Sequence, residues 1–136
     1  MDESLLDTDI LSEVLKRRDQ RVLAKARRYP TEHRRFAFSA ITAYEILRRM
    51  RANQATRQLG EFMKTIATSE VFPVSMPVLL RASELWAEAT RLGRPQNDAD
   101  IIIAATAMER GHVLVTGNSE HFAWIPNLKL ENWREP

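Results

Sequence analysis

Short apolar runs alternate with longer amphipathic stretches along this chain of 136 residues. Ser4-Leu5-Leu6 ends at Asp7 and predicts a short strand buried within a sheet. Ile10, Leu11, Val14 and Leu15 then fall at helical spacing, with Asp9 or Thr8 as the N-cap. Lys16 to Arg28 continues as a basic helix or helix pair, Val22, Leu23 and Ala26 facing inward, and Tyr29-Pro30-Thr31 is expected to break it. Phe36-Ala37-Phe38 predicts a second strand. A helix follows from Ser39, its inward stripe formed by Ile41, Tyr44, Leu47 and Met50. Gln54 to Thr68 reads as an amphipathic helix with Leu59, Phe62, Met63 and Ile66 inward. Val71-Phe72-Pro73-Val74 suits an edge strand, because proline cannot donate to a ladder. Pro77 fits the first turn of a helix to about Leu92, with Leu80, Leu85, Trp86 and Ala89 as core.

Beyond the Gly93-Arg94-Pro95 loop comes the most apolar segment, Ile101 to Ala107. It is rich in Ala and holds neither Gly nor Pro, which predicts a helix buried on several sides. Asn97, Asp98 and Asp100 precede or open it, and Gly111 stops it. Val113 to Thr116 reads as a central strand, Gly117 to Glu120 as a turn, and Leu128-Lys129-Leu130 as the last strand. Strands alternating with helices give an α/β class with a mainly parallel sheet. At this length, residues 1–136 are expected to form a single domain.

Composition narrows the chemistry. The chain has no cysteine, which removes disulfides, thiol catalysis and zinc–cysteine sites. No stretch is apolar for long enough to span a bilayer, and Met1-Asp2-Glu3-Ser4 is acidic and lacks the core of a secretory signal, so a cytoplasmic protein is expected. The net charge of +2 conceals an asymmetry. Residues 16–57 carry thirteen Lys/Arg against three acids, whereas the remainder carries seven against fifteen. A solvated face is one reading of the basic segment; a surface for RNA phosphates or for an acidic protein segment is the other.

The acids recur at related places: Asp7 after the first strand, Glu45 inside an otherwise apolar helical segment, Asp98 and Asp100 at a helix start, and Glu120 after a later strand. The three histidines look structural or peripheral. Carboxylates gathered at one point raise one another's pKa, a conflict that a hard, oxygen-seeking cation such as Mg²⁺ or Mn²⁺ resolves. Asp98 and Asp100 are two residues apart and would diverge on a regular helix, so Asp98 is expected to be the N-cap and Asp100 the site-facing acid. Each feature also has a purely structural reading. Asp7 can cap a helix, Glu45 can pair with Arg48 or Arg49, Gly117-Asn118 can be a turn, and Thr116 can bond nearby backbone.

Leu5-Leu6-Asp7-Thr8-Asp9, Glu45, Asp100-Ile101-Ile102-Ile103-Ala104-Ala105-Thr106-Ala107 and Val113 to Asn118 followed by Phe122 together resemble a PIN domain. More narrowly the chain is similar to VapC-type toxin ribonucleases of type II toxin–antitoxin pairs. The resemblance implies a three-layer α/β/α fold whose central, mainly parallel sheet has about four to five short strands. It also implies a metal-dependent endoribonuclease, a homodimer and a cognate VapB-type antitoxin. Residue by residue, Asp7, Glu45 and Asp100 match the family's catalytic and metal-binding acids, with Thr8 and Thr116 as supporting hydroxyls. The fourth acidic position falls at Asn118, Asp9 replaces the commoner Asn, and Asp98 and Glu120 are further supporting candidates. Arg48, Arg49 and Arg51 are the candidates for RNA contact. Two other readings stand beside this one. The chain could be a PIN-like scaffold that binds RNA or antitoxin without cutting. Asp7-Thr8-Asp9 also matches the D-x-D of a phosphatase that uses an aspartate nucleophile, although the Gly and Thr/Ser that usually continue that motif are replaced by Ile10 and Leu11.

Overall fold

The computed structural model describes residues 1–136 as five short strands and seven helices. In order these are β1 Ser4–Leu6, α1 Thr8–Lys16, α2 Gln20–His33, β2 Ala37–Ser39, α3 Ala40–Ala52 and α4 Thr56–Thr68. Then follow β3 Glu70–Phe72, α5 Met76–Arg91, α6 Asp98–Arg110, β4 Val113–Val115, α7 Ser119–Phe122 and β5 Leu130–Glu131. Every ladder is parallel: β4 sits between β1 and β5, and β2 pairs with β3. β2 also runs alongside β1, so the two ladders lie next to each other. Three-residue strands suffice because both faces are covered, which is where parallel strands are stable.

Adjacent residues in each strand feed different cores, as the twofold strand period requires. Leu5, Ala37 and Leu114 join Val78, Ala82, Leu85, Ile101, Ala104 and Ala105 in the core beneath α5 and α6. Leu6, Phe38 and Val115 join Ile10, Leu11, Val22, Ala43, Ile46 and Phe62 in a second core beneath α1 to α4. This is the expected three-layer α/β/α arrangement.

Some local expectations fail for identifiable reasons. α2 passes through Pro30 to His33. Tyr29 is buried, touches Trp133 and Phe36 with its ring, and accepts the Ser4 N–H at 2.9 Å on its hydroxyl. Tertiary packing there outweighs the one lost helical bond. In α3 the buried stripe is Thr42, Ala43 and Ile46, while Tyr44 is exposed. In α5 the inward stripe is Val78, Ala82, Leu85 and Ala89, leaving Leu80 and Trp86 on the surface. In α4 Phe62 is buried and Met63 exposed. Large apolar residues drew the predicted faces, but the close α5–α6 contact selects the small ones, Ala82 and Ala89.

Candidate functional site

The carboxyl ends of β1 and β4 and the first turns of α1 and α6 meet at one pole of the sheet. Asp7 stands there because β1 ends at Leu6 and α1 begins at Thr8, with no residue to spare between them. It is therefore the N-cap of α1, in place of Thr8 or Asp9: its backbone is extended, and its carboxylate accepts the Ile10 N–H at 2.8 Å. Its own N–H donates to the Val115 carbonyl at 3.0 Å, which ties the cap to β4. Burial pushes the Asp7 carboxyl up from 3.8 to about 6, against hydrogen bonds from Thr116 and Ile10 that favour the charged form. Asp9 and Asp100 add repulsion in the same direction as burial. A shift of this size disfavours ionisation by about 3 kcal/mol.

Asp100 is brought to the same pole by α6. Asn97, not Asp98, is the N-cap: its backbone is extended and its side-chain carbonyl accepts the Asp100 N–H at 2.8 Å. Asp98 thereby becomes the first helical residue and is exposed. The expected divergence of the two aspartates holds, with the cap one residue earlier. Asn97 Nδ2 also donates to Asp100 Oδ2 at 3.0 Å. Burial raises the Asp100 carboxyl, His121 and Asn97 oppose that shift, and Glu45 and Asp9 add to it.

Glu45 reaches the group from α3. Thr8 donates its hydroxyl to Glu45 Oε1 at 2.6 Å and lies 3.2 Å from the buried Thr42 hydroxyl. Arg48 is 3.8 Å from the other Glu45 oxygen and packs its guanidinium on Tyr44. The purely structural readings of these residues therefore hold: Asp7 does cap a helix and Glu45 does meet an arginine. Thr116 is fully buried; it serves Asp7 and also accepts the Asn118 N–H at 3.0 Å.

The structure brings together Asp7, Asp9, Glu45 and Asp100, with Thr8 and Thr116 as their hydroxyl partners. Asn118 at the cap position of the short α7, and Glu120 within it, are exposed. The basic candidates Arg48, Arg49 and Arg51 are all exposed, and Arg49 also lines a separate groove formed by α1 to α4. The sequence did not mark His121, which touches the site: Nε2 lies 3.3 Å from Asp100 Oδ2, without an aligned hydrogen bond. A helix of one turn offers no periodicity from which to orient its side chains.

As the side chains stand, no three His, Asp or Glu residues converge tightly enough to enclose a metal ion. The donor set nevertheless fits a hard divalent cation. It is all carboxylate oxygen, already braced by hydroxyls and amides, and carries a mutual repulsion that the exposed Arg48 beside Glu45 only partly offsets.

The PIN domain family model matches residues 4–126. The chain is 28% identical to the tRNA(fMet)-specific endonuclease VapC of Salmonella typhimurium, over 95% of this chain and 96% of that protein. It is 26% identical to ribonuclease VapC1 of Methanocaldococcus jannaschii, over 93% and 84% respectively. Among solved structures, DNA-bound VapBC from Salmonella typhimurium superposes with a TM-score of 0.85, at 27% identity, covering 98% of this chain and 99% of that one.

Proposed function

The chain belongs to the PIN-domain family, and on that premise we propose that residues 1–136 form one nuclease domain, a metal-dependent endoribonuclease acting as the toxin of a VapBC-type pair. The observation that carries this reading is the cluster of Asp7, Glu45 and Asp100 at one pole, two of them held above their ordinary carboxyl values by burial. Such a cluster opposes its own ionisation unless positive charge arrives.

Asp7, Glu45 and Asp100 would hold one Mg²⁺ or Mn²⁺, directly or through water. That ion would supply an acidified water and positive charge against the phosphodiester. The chain's own residues do the positioning. The Ile10 N–H and the Thr116 hydroxyl fix Asp7, Thr8 fixes Glu45, and Asn97 fixes Asp100. Preorganisation of this kind avoids reorganisation when charge develops on the phosphoryl oxygens. In the hydrolysis, a water oxygen bonds phosphorus as one P–O ester bond breaks, and the departing alkoxide takes a proton. The tRNA specificity of the Salmonella relative makes tRNA the first substrate to try.

The groove of about 1020 Å³ formed by α1 to α4 supports an antitoxin site. Its floor includes Val14, Leu15 and Met50, and its rim Arg17, Arg18 and Arg49, which suits an acidic segment with apolar side chains. Exposed Met76, Leu79, Leu80 and Trp86 on α5 support a homodimer. No helix is long and apolar enough to cross a membrane.

The test is cleavage of tRNA by the wild type and by Asp7→Asn and Asp100→Asn, with Mg²⁺ and with chelator. Cleavage by the wild type with Mg²⁺ alone is expected. Equal cleavage by all three proteins would remove the acids from the mechanism and favour a PIN-like scaffold.

A further inference from the structure

Gly117 follows Thr116 directly, at the end of β4, yet its backbone is not in the left-handed region that calls for glycine. What a side chain there would meet first is the end of the Arg134 side chain. A Cβ on Gly117 would lie 2.6 Å from Arg134 Nη1 and 3.0 Å from its Cζ. The guanidinium is therefore laid flat against the one backbone segment that also carries the Asp7-bracing hydroxyl.

Arg134 is held there from several sides. Trp133 before it is fully buried in the core that includes Tyr29. The Arg134 N–H donates to the Asn132 side chain at 2.9 Å, and its carbonyl accepts from Arg21 Nη1 at 3.3 Å. Lys25 Nζ donates to the Glu135 carbonyl at 3.2 Å. Part of the basic charge of α2 thus clamps this segment. The guanidinium itself is only weakly engaged: Glu13 on α1 lies 3.8 Å from Nη2, and the Arg134 side chain keeps 40% of its exposure. Five donors in a rigid fork, backbone-anchored and largely unspent, are suited to a phosphate.

We propose that Arg134, seated on the side-chain-free Gly117 at the rim of the acidic site, binds a phosphate of the RNA substrate adjacent to the bond that is cut. This rests on the endoribonuclease reading and names a contact within that same site. A structural rival exists, in which Arg134 only pins its segment through Glu13.

Binding of unfractionated tRNA, measured in chelator by fluorescence anisotropy across a salt series, separates the two without relying on cleavage. Arg134→Ala is expected to weaken binding about tenfold and to lower the salt slope by about 0.7 to 0.9. Glu13→Gln, which removes the only carboxylate partner, is expected to leave binding at or above the wild-type level. Gly117→Ala, whose methyl group displaces the guanidinium from its seat, is expected to weaken binding in the wild type by less than Arg134→Ala does and to add little in the Arg134→Ala background. An unchanged salt slope in Arg134→Ala, or equal losses in Glu13→Gln and Arg134→Ala with matching drops in thermal stability, would overturn the assignment. If the wild type cleaves RNA and the Arg134 variants behave so, only this contact falls. If the wild type neither cleaves nor binds RNA, the nuclease reading falls with it.

Discussion

Asp7 and Glu32 are both carboxylates on the α1–α2 side of the sheet, and their surroundings push them in opposite directions. Glu32 sits in solvent near the amino ends of the strands, where the N-terminal ammonium and Arg28 hold it below the ordinary glutamate value. Other acids around that pole also meet bases: Arg35 lies 2.6 Å from Glu70, and His112 lies 3.7 Å from Glu3. Asp7 sits at the carboxyl ends, buried, with other acids for neighbours, and is raised to about 6. One pole has its charges neutralised within the chain. The other keeps an excess of acids, with Asp7, Asp9, Glu45 and Asp100 set against Arg48 and His121, and this excess costs stability. Such a difference between two ends of one sheet is the physical mark of a functional site.

The largest expected effect follows from emptying the acidic pole of charge. Asp7→Asn or Asp100→Asn should lower tRNA cleavage by at least about a hundredfold, the scale seen when one electrostatic stabiliser is removed. Single-turnover assays with Mg²⁺ measure it, and near-normal rates would erase the distinction between the poles.

Next in size is an effect on stability with the opposite sign. The folded Asp7 value lies above the unfolded value of 3.8, so the folded state binds more protons between 3.8 and about 6. Stability is highest below that window, falls as pH rises through it, and stays lowered above it. Asp7→Asn should therefore stabilise the metal-free protein by about 1–3 kcal/mol at pH 7.5, since Asn caps a helix as well as Asp. Urea denaturation checks this. A destabilised variant would mean that Asp7 is a cap and nothing more.

A smaller effect probes the basic groove. Arg49→Glu should weaken binding of an antitoxin about tenfold while cleavage changes much less, because Arg49 lines the groove rather than the acidic pole. Equal losses in both would unite the two surfaces. The smallest effect is at Glu32: Glu32→Gln should leave cleavage and the melting temperature essentially unchanged, as exposed ion pairs contribute little.

Much of this site was legible in the sequence, because the relevant signals are local. A strand that ends on Asp7, an apolar run that begins after Asp100, and Gly111 as a helix stop each fix a residue to one end of an element. What stayed illegible depends on contacts between distant elements. The choice of Asn97 over Asp98 as cap turns on a single residue of register. Trp86 and Leu80 face outward because α5 packs on α6 through alanines, which size-based patterning cannot foresee. His121 reaches Asp100 from a one-turn helix and Arg134 reaches Gly117 from an irregular segment, where no periodicity points to an orientation.

The claim that the acidic pole keeps an excess of negative charge for a divalent cation is tested most directly by titrating Mn²⁺ into the protein calorimetrically at pH 6 and pH 8, in buffers of differing ionisation enthalpy. The account predicts binding that is lost in Asp7→Asn and Asp100→Asn. At pH 6 that binding should release at least about half a proton, because the ion displaces the proton shared by a carboxyl that titrates near that pH, and the release should fade at pH 8. Binding absent from the wild type, or unaffected by either substitution, would contradict it.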